Sequence, residues 1–230
     1  MGCLLCYNQA MDKKTLIQTF YDHADQERAH AMAAYMRDQF PFLGLSTPLR
    51  RQLEKDFIKE SKASKARRLI GFLWKSCGNL PEREFQYAAC DYLRAMQIFL
   101  TEADLPRLKQ LVVTKSWWDT TDSLDRTIGK INFPSNIVDA TMLEWSSDDN
   151  FWLRRVAIDH QLLRKDKMKT NLLEKILINN LNQSEFFINK AIGWILRDYS
   201  KTNPDWVRTF IEKHKNQMAN LSIKEASKYL

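Results

Sequence analysis

The sequence is poor in the residues that make turns, with six glycines and six prolines in 230 positions. A β-sandwich or barrel needs more of both, so their scarcity favours long helical segments. No apolar run approaches the roughly 20 residues that a membrane-crossing helix requires. With 44% hydrophobic and 27% charged residues, the composition excludes a disordered chain as well as a membrane-spanning one. The four cysteines make no metal-binding pattern. Cys3 and Cys6 form a lone CxxC, and Cys77 and Cys90 stand apart. The four histidines, His23, His30, His160 and His214, form no HExxH or comparable spacing, so no metal site is read from the sequence. Cysteine usage of this kind suits a reducing interior.

What the chain does have is positive charge, unevenly placed. Lys and Arg number 35 against 28 Asp and Glu, a formal net charge of +7. Residues 1–150 hold 20 basic and 20 acidic side chains, and residues 151–230 hold 15 and 8, so the whole surplus lies in the last third. That asymmetry points to a polyanionic partner, nucleic acid first and an acidic membrane surface second. The opening Met-Gly-Cys-Leu-Leu-Cys is too short in apolar residues for a signal peptide. It also carries Cys6 where a myristoylation motif wants Ser or Thr. Residues 1–11 are read as a flexible extension and residues 12–230 as one domain without an internal linker.

Apolar residues recur at three-to-four spacing almost throughout, and strict alternation is rare. Leu16, Ile17, Phe20 and Tyr21 mark a first helix; Ala33, Met36 and Phe40 mark a second. Thr47-Pro48 opens a third in the favoured cap-then-proline order, and Pro81-Glu82, Pro106, Pro134-Ser135 and Asn203-Pro204 each open a later one. About a dozen short helices imply stacked pairs and not a single bundle. Phe85, Trp117, Trp152 and Phe187 follow one another at intervals of 32, 35 and 35 residues, each early in a similar segment. A period in the mid-thirties suits helical-hairpin repeats, which bury their apolar faces only against their neighbours. The predicted fold is an all-α superhelical stack with a concave inner surface.

In the register of those aromatics, the position three residues further on holds Thr120, Arg155 and Lys190. Stacked repeats put equivalent positions on one face, so Arg155 and Lys190 are predicted to line one groove. Arg197 and Lys201 add to the basic last third. A groove of this kind suits a phosphate backbone, whereas the run Arg164, Lys165, Lys167 and Lys169 reads as solvated surface. Arg155 lies between Phe151-Trp152-Leu153 and Val156-Ala157-Ile158, and a cation so placed wants a partner. The stretch Lys115 to Ser123 (KSWWDTTDS) is the most unusual. Trp118 and Asp122, four apart, share a helical face, while Trp117 lies about 100° away and can serve the core. Trp194 follows Gly193, which permits close packing or close approach. Taken singly, each of these tryptophans is readily explained as core packing.

Together, LVVTKSWWDTTDS, DDNFWLRRVAI, FFINKAIGWILRDYSKTNPDWV, LWKSCGNLPEREFQYAACDYL and AYMRDQFPFLGLSTPLRRQL resemble the HEAT-like-repeat DNA glycosylases of alkylation repair, the AlkD family, from about residue 14 to the end. The resemblance implies a C-shaped α-solenoid that holds double-stranded DNA and hydrolyses the N-glycosidic bond of cationic alkylpurines such as 3-methyladenine and 7-methylguanine. It implies no metal and no organic cofactor. Carried onto this sequence, it makes Asp122 the catalytic carboxylate and Trp118 and Trp194 the aromatics that contact the sugar. Arg155 becomes the backbone-anchoring cation beside the lesion and Arg197 a second backbone contact. Tyr35 and Thr47 fall where the N-terminal helices approach the minor groove. Ser46 departs from the pattern, which calls for a longer polar side chain such as Gln. A monomer acting in the cytoplasm, at the bacterial nucleoid, is the corresponding expectation.

The implied chemistry suits these residue types. An N3- or N7-alkylated purine is already positive, so it leaves neutral and needs no general acid. The deoxyribose gains oxocarbenium character, which a carboxylate beside C1′ stabilises while orienting water. Two indole faces favour the same charge by about 1–2 kcal/mol each when desolvated. The competing reading is a catalytically silent HEAT-repeat scaffold that binds DNA or protein.

Overall fold

A computed structural model of the protein describes residues 13–63 and 80–230; the expected extension at 1–11 and Cys77 lie outside these. The described residues are helical, with no strand among them, and they group into two compact units, one ending at Phe99 and the other running from Leu100 to Leu230.

In the first unit, α1 (Lys13–Asp22), α2 (Gln26–Tyr35), α3 (Thr47–Ala63) and α4 (Arg83–Ala95) are described. Phe20 of α1 stacks on Phe85 of α4 at 5.5 Å. The second helix is shorter than its apolar spacing predicts. The Arg37 N–H donates to the Ala34 carbonyl and the Asp38 N–H to that of Ala33, which closes the helix at Tyr35, with both residues at positive φ. Phe40 therefore lies beyond it. The loop that follows is held by one buried carboxylate. Glu84 accepts the backbone N–H groups of Leu43, Gly44 and Leu45 at 3.0, 2.9 and 3.1 Å. Gly44 has φ +86, and a Cβ there would meet the Asp25 carbonyl at 2.0 Å, so this turn needs glycine. The loop delivers Thr47 to the start of α3, exposed.

The second unit contains α5 (Leu105–Val113), α6 (Trp118–Gly129), α7 (Asn136–Trp145), α8 (Phe151–Asp159), α9 (Thr170–Ile178), α10 (Phe186–Ser200), α11 (Pro204–His214) and α12 (Asn220–Ala226). Their starts follow local chemistry. Ser135 accepts from the Val138 N–H, Asn203 from the Trp206 N–H, and Pro106 sits in the first turn of α5, where a missing N–H costs nothing. Packing follows the order of the chain. α6 packs on α8, α8 on α10 and α10 on α12, while α7 packs on α8 and α9. Contacts between nearest and next-nearest helices are the signature of an α-solenoid. Three of the four periodic aromatics weld this row together: Trp117, Trp152 and Phe187 lie 5.9, 5.2 and 4.9 Å apart, centroid to centroid. Phe85 belongs to the first unit.

Candidate functional site

The row α6, α8, α10, α12 carries the charged centre of the second unit. Asp122 sits mid-way along α6, one turn after Trp118, which is half-buried. Trp117 precedes the helix in extended conformation and joins the aromatic core, which leaves Trp118 on a different face. From α8, Arg155 reaches Asp122 with two donors, Nε to Oδ1 at 2.7 Å and Nη2 to Oδ2 at 2.9 Å. Its Nη1 donates to the Phe187 carbonyl at 2.6 Å. The Arg155 side chain is 2% exposed and that of Asp122 17%.

Arg155, expected from the sequence to anchor the DNA backbone, has partners within the protein. Its guanidinium is buried and directed at a carboxylate and a carbonyl. A charge inside an apolar helix is stable only with a partner, and Asp122 is that partner. The pairing also holds the Asp122 carboxylate in one orientation.

Trp194 lies beside this pair on α10, half-buried, with three cations around its ring. Arg155 Cζ, Lys190 Nζ and Arg197 Cζ stand 5.3, 5.9 and 6.0 Å from its centroid. Gly193 serves close packing: a Cβ there would meet Glu225 Cβ at 2.5 Å. That approach brings Glu225 of α12 between Lys190 and Arg197, which it accepts at 2.8 and 2.7 Å, together with Lys228 at 2.8 Å. Hydrogen bonds from Lys190 and Lys228 hold the Glu225 carboxyl down to about 2, so it is an anion across the physiological range. Sequence reading missed Glu225, although the signal was present. It lies 35 residues after Lys190, as Lys190 lies 35 after Arg155 and Arg155 35 after Thr120.

A cavity of 240 Å³ opens beside Asp122 and Trp194, bordered also by Asp125, Arg126, Arg197 and Lys201. Behind Asp122 are two further carboxyl groups that sequence reading did not single out. Asp125 of α6 and Asp159 of α8 are both buried, and one oxygen from each of the three lies within 4.8 Å of the others. The buried cation facing them is Arg155, so this trio is organised around a guanidinium. Burial, with the Asp122 charge adding to it, pushes Asp125 up to about 8, and burial pushes Asp159 well above the carboxylate range.

The basic run at 164–169 is less solvated than predicted. Arg164 donates to Gln161 Oε1 and the Gly129 carbonyl and lies over the Phe133 ring, and burial lowers it to about 10. Lys169 pairs with Asp139, while Lys165 and Lys167 are exposed as expected. Tyr35 and Thr47 lie in the first unit, Tyr35 at the end of α2 with 73% of its surface exposed.

The helical row thus carries an oriented carboxylate, an indole and a cluster of cations. The family model for the DNA alkylation repair enzyme matches residues 16–230. The chain belongs to the DNA alkylation repair enzyme family. A solved structure described as a predicted DNA alkylation repair enzyme from Enterococcus faecalis is 35% identical, with a TM-score of 0.84, over 90% of this chain and 96% of that one. No curated protein matches the sequence. Membership in a family of DNA repair enzymes implies DNA as partner, and no described helix is long and apolar enough to cross a membrane.

Proposed function

We propose that the protein is a monofunctional DNA glycosylase that hydrolyses the N-glycosidic bond of cationic alkylpurines, 3-methyladenine and 7-methylguanine, in double-stranded DNA. The observation that carries this reading is the oriented, partly exposed Asp122 carboxylate at the edge of a cavity it shares with Trp194. The alkylated base leaves neutral, so catalysis needs a group that stabilises positive charge on the sugar. Asp122 does so by charge and by aligning water, and because Arg155 already fixes its rotamer it need not reorganise as the bond breaks. Trp194 and Trp118 offer ring faces to the same charge. Lys190, Arg197, Tyr35 and Thr47 serve the DNA backbone and groove, with no metal or organic cofactor. The proposal includes a monomer acting in the cytoplasm on DNA, with residues 12–230 as the working domain.

One observation favours the alternative of a silent DNA- or protein-binding scaffold: both Asp122 oxygens are engaged by Arg155, which lowers the negative potential the carboxylate offers. A single experiment separates the two. Duplex DNA carrying 7-methylguanine or 3-methyladenine is incubated with the protein and free base is measured. The native protein releases base, and Asp122→Asn slows release by orders of magnitude while binding DNA at least as tightly. Absence of release from both lesions overturns the enzyme, and release that survives Asp122→Asn overturns the role of Asp122.

A further inference from the structure

The carboxyl groups around Asp122 outnumber the buried cations that face them. Asp122, Asp125 and Asp159 bring an oxygen each within 4.8 Å of one another. The charged groups facing them are Arg155 from α8 and Arg126 from α6; on the α10 side Arg155 meets a carbonyl and the Trp194 ring, while Arg197, Asp198 and Lys201 border the cavity that Asp122 and Asp125 share. Arg126 is 42% exposed and bonds Asp125 Oδ1 and the Asp122 carbonyl. That leaves Arg155 as the buried cation for the trio, and it donates from Nε and Nη2 to Asp122 and from Nη1 to the Phe187 carbonyl, with no hydrogen bond to Asp159.

This allocation is informative, because Asp159 is one turn along the same helix as Arg155, at the i,i+4 spacing where an ionised carboxylate attracts a cation. Asp159 is wholly buried, and neither of its oxygens has a hydrogen-bond partner; Asp125 Oδ2 has none either. Two ionised carboxylates left in that state would carry a desolvation cost that the Arg155 and Arg126 charges offset only in part, and would repel each other and Asp122. Protonation removes the cost of burying the charge and the repulsion among the three groups.

We infer that Asp125 and Asp159 are positioning residues that stay protonated at neutral pH and so commit Arg155 to Asp122. Resting on the glycosylase reading for its consequence, the inference makes the Asp122 orientation depend on protons stored one layer deeper. The direction in which burial moves both acids agrees with it. Once Asp159 ionises, it competes for the guanidinium, and the two-point grip on Asp122 loosens.

Two measurements test this. Infrared spectra of the full-length protein, recorded from pH 6 to 9.5, are expected to contain the carbonyl stretch of a buried protonated carboxyl that fades as the pH passes about 8. The band is expected to weaken in Asp159→Asn and in Asp125→Asn. Single-turnover release of 7-methylguanine over the same range is expected to fall on the alkaline side in the native protein. Asp159→Asn, which cannot ionise, is expected to abolish or displace that fall. Absence of the band at pH 7 overturns the inference whatever the activity, and so does an alkaline limb unchanged in Asp159→Asn. If Asp159→Asn does not fold, the loss of intensity in Asp125→Asn against the native protein still decides, since Glu54, which burial also pushes up to about 8, contributes equally to both spectra. A band that is present in a protein releasing no base overturns the glycosylase reading and the positioning role together, while leaving the protonation itself established.

Discussion

Asp122 and Arg155 lie 33 residues apart, on neighbouring helices of one row, and meet through two parallel hydrogen bonds of 2.7 and 2.9 Å. The pair couples the stability of the unit to the carboxylate proposed for catalysis. Arg155→Met is expected to cost roughly 3 kcal/mol in urea unfolding, because it leaves Asp122 and the Phe187 carbonyl without their donor. Asp122→Asn is expected to cost a similar amount by leaving a buried guanidinium half-partnered. The double variant Arg155→Met/Asp122→Leu should recover much of the loss, since two apolar groups need no partner. Additive losses would show that the pair carries no coupling energy.

Glu225 occupies the centre of a cationic patch made by Lys190, Arg197 and Lys228. A phosphate approaching these cations has to compete with its carboxylate. Glu225→Gln is therefore expected to tighten binding to undamaged duplex DNA several-fold at low salt, with a steeper decline as salt rises. Fluorescence anisotropy across a salt series reads both. Weaker binding would mean instead that Glu225 organises the cations and does not mask them.

Gly193 lets α12 close on α10 beside Trp194. Gly193→Val puts carbon where Glu225 Cβ already lies, 2.5 Å from the new Cβ, with the Ser222 carbonyl at 3.2 Å. A destabilisation of about 1–3 kcal/mol is expected from overpacking, together with altered fluorescence of Trp194. Chemical denaturation and emission spectra check this; an unchanged midpoint would show that the two helices part freely.

His160 contributes to acid behaviour. Burial and the nearby Arg164 charge lower its imidazole to about 3, and its Nδ1 lies 2.6 Å from the Ala157 carbonyl. Between about pH 6.5 and 3 the unfolded chain binds a proton that the folded one does not, so this contribution to stability is complete above that window and is lost as the pH falls through it. Asp125 and Asp159, with raised values, act in the opposite sense, since the folded state holds their protons as the pH rises above 4. The comparison that isolates His160 is thus the difference in melting temperature between native protein and His160→Asn, which should shrink from pH 7 to pH 4. A constant difference would assign the imidazole no titrating role.

Much of the fold was legible in local pattern. Apolar spacing marks the helices, Ser135 and Asn203 cap theirs, and the aromatic period of about 35 residues anticipates the contact of Trp117, Trp152 and Phe187. The same pattern overran the end of the second helix, because a backbone closure at Arg37 and Asp38 has no signature in hydrophobic spacing. At the site, residue type and spacing singled out Asp122, Trp194, Lys190 and Arg197, and these do gather around one cavity and one indole ring. Asp125 and Asp159 escaped notice because an aspartate in a helix is ordinarily solvated.

By itself, then, the amino-acid order determined which faces are apolar, where helices begin and how often the unit recurs, since all three depend on neighbours within a turn or two. Only the tertiary structure decided the partners of the charges: that Arg155 turns to Asp122 and not to solvent, that Asp159 is left without a hydrogen-bond partner, and that one glutamate gathers Lys190, Arg197 and Lys228. Those choices are made between helices some 30 residues apart, where burial strengthens each charge interaction and the distance between helix axes selects which side chains can meet.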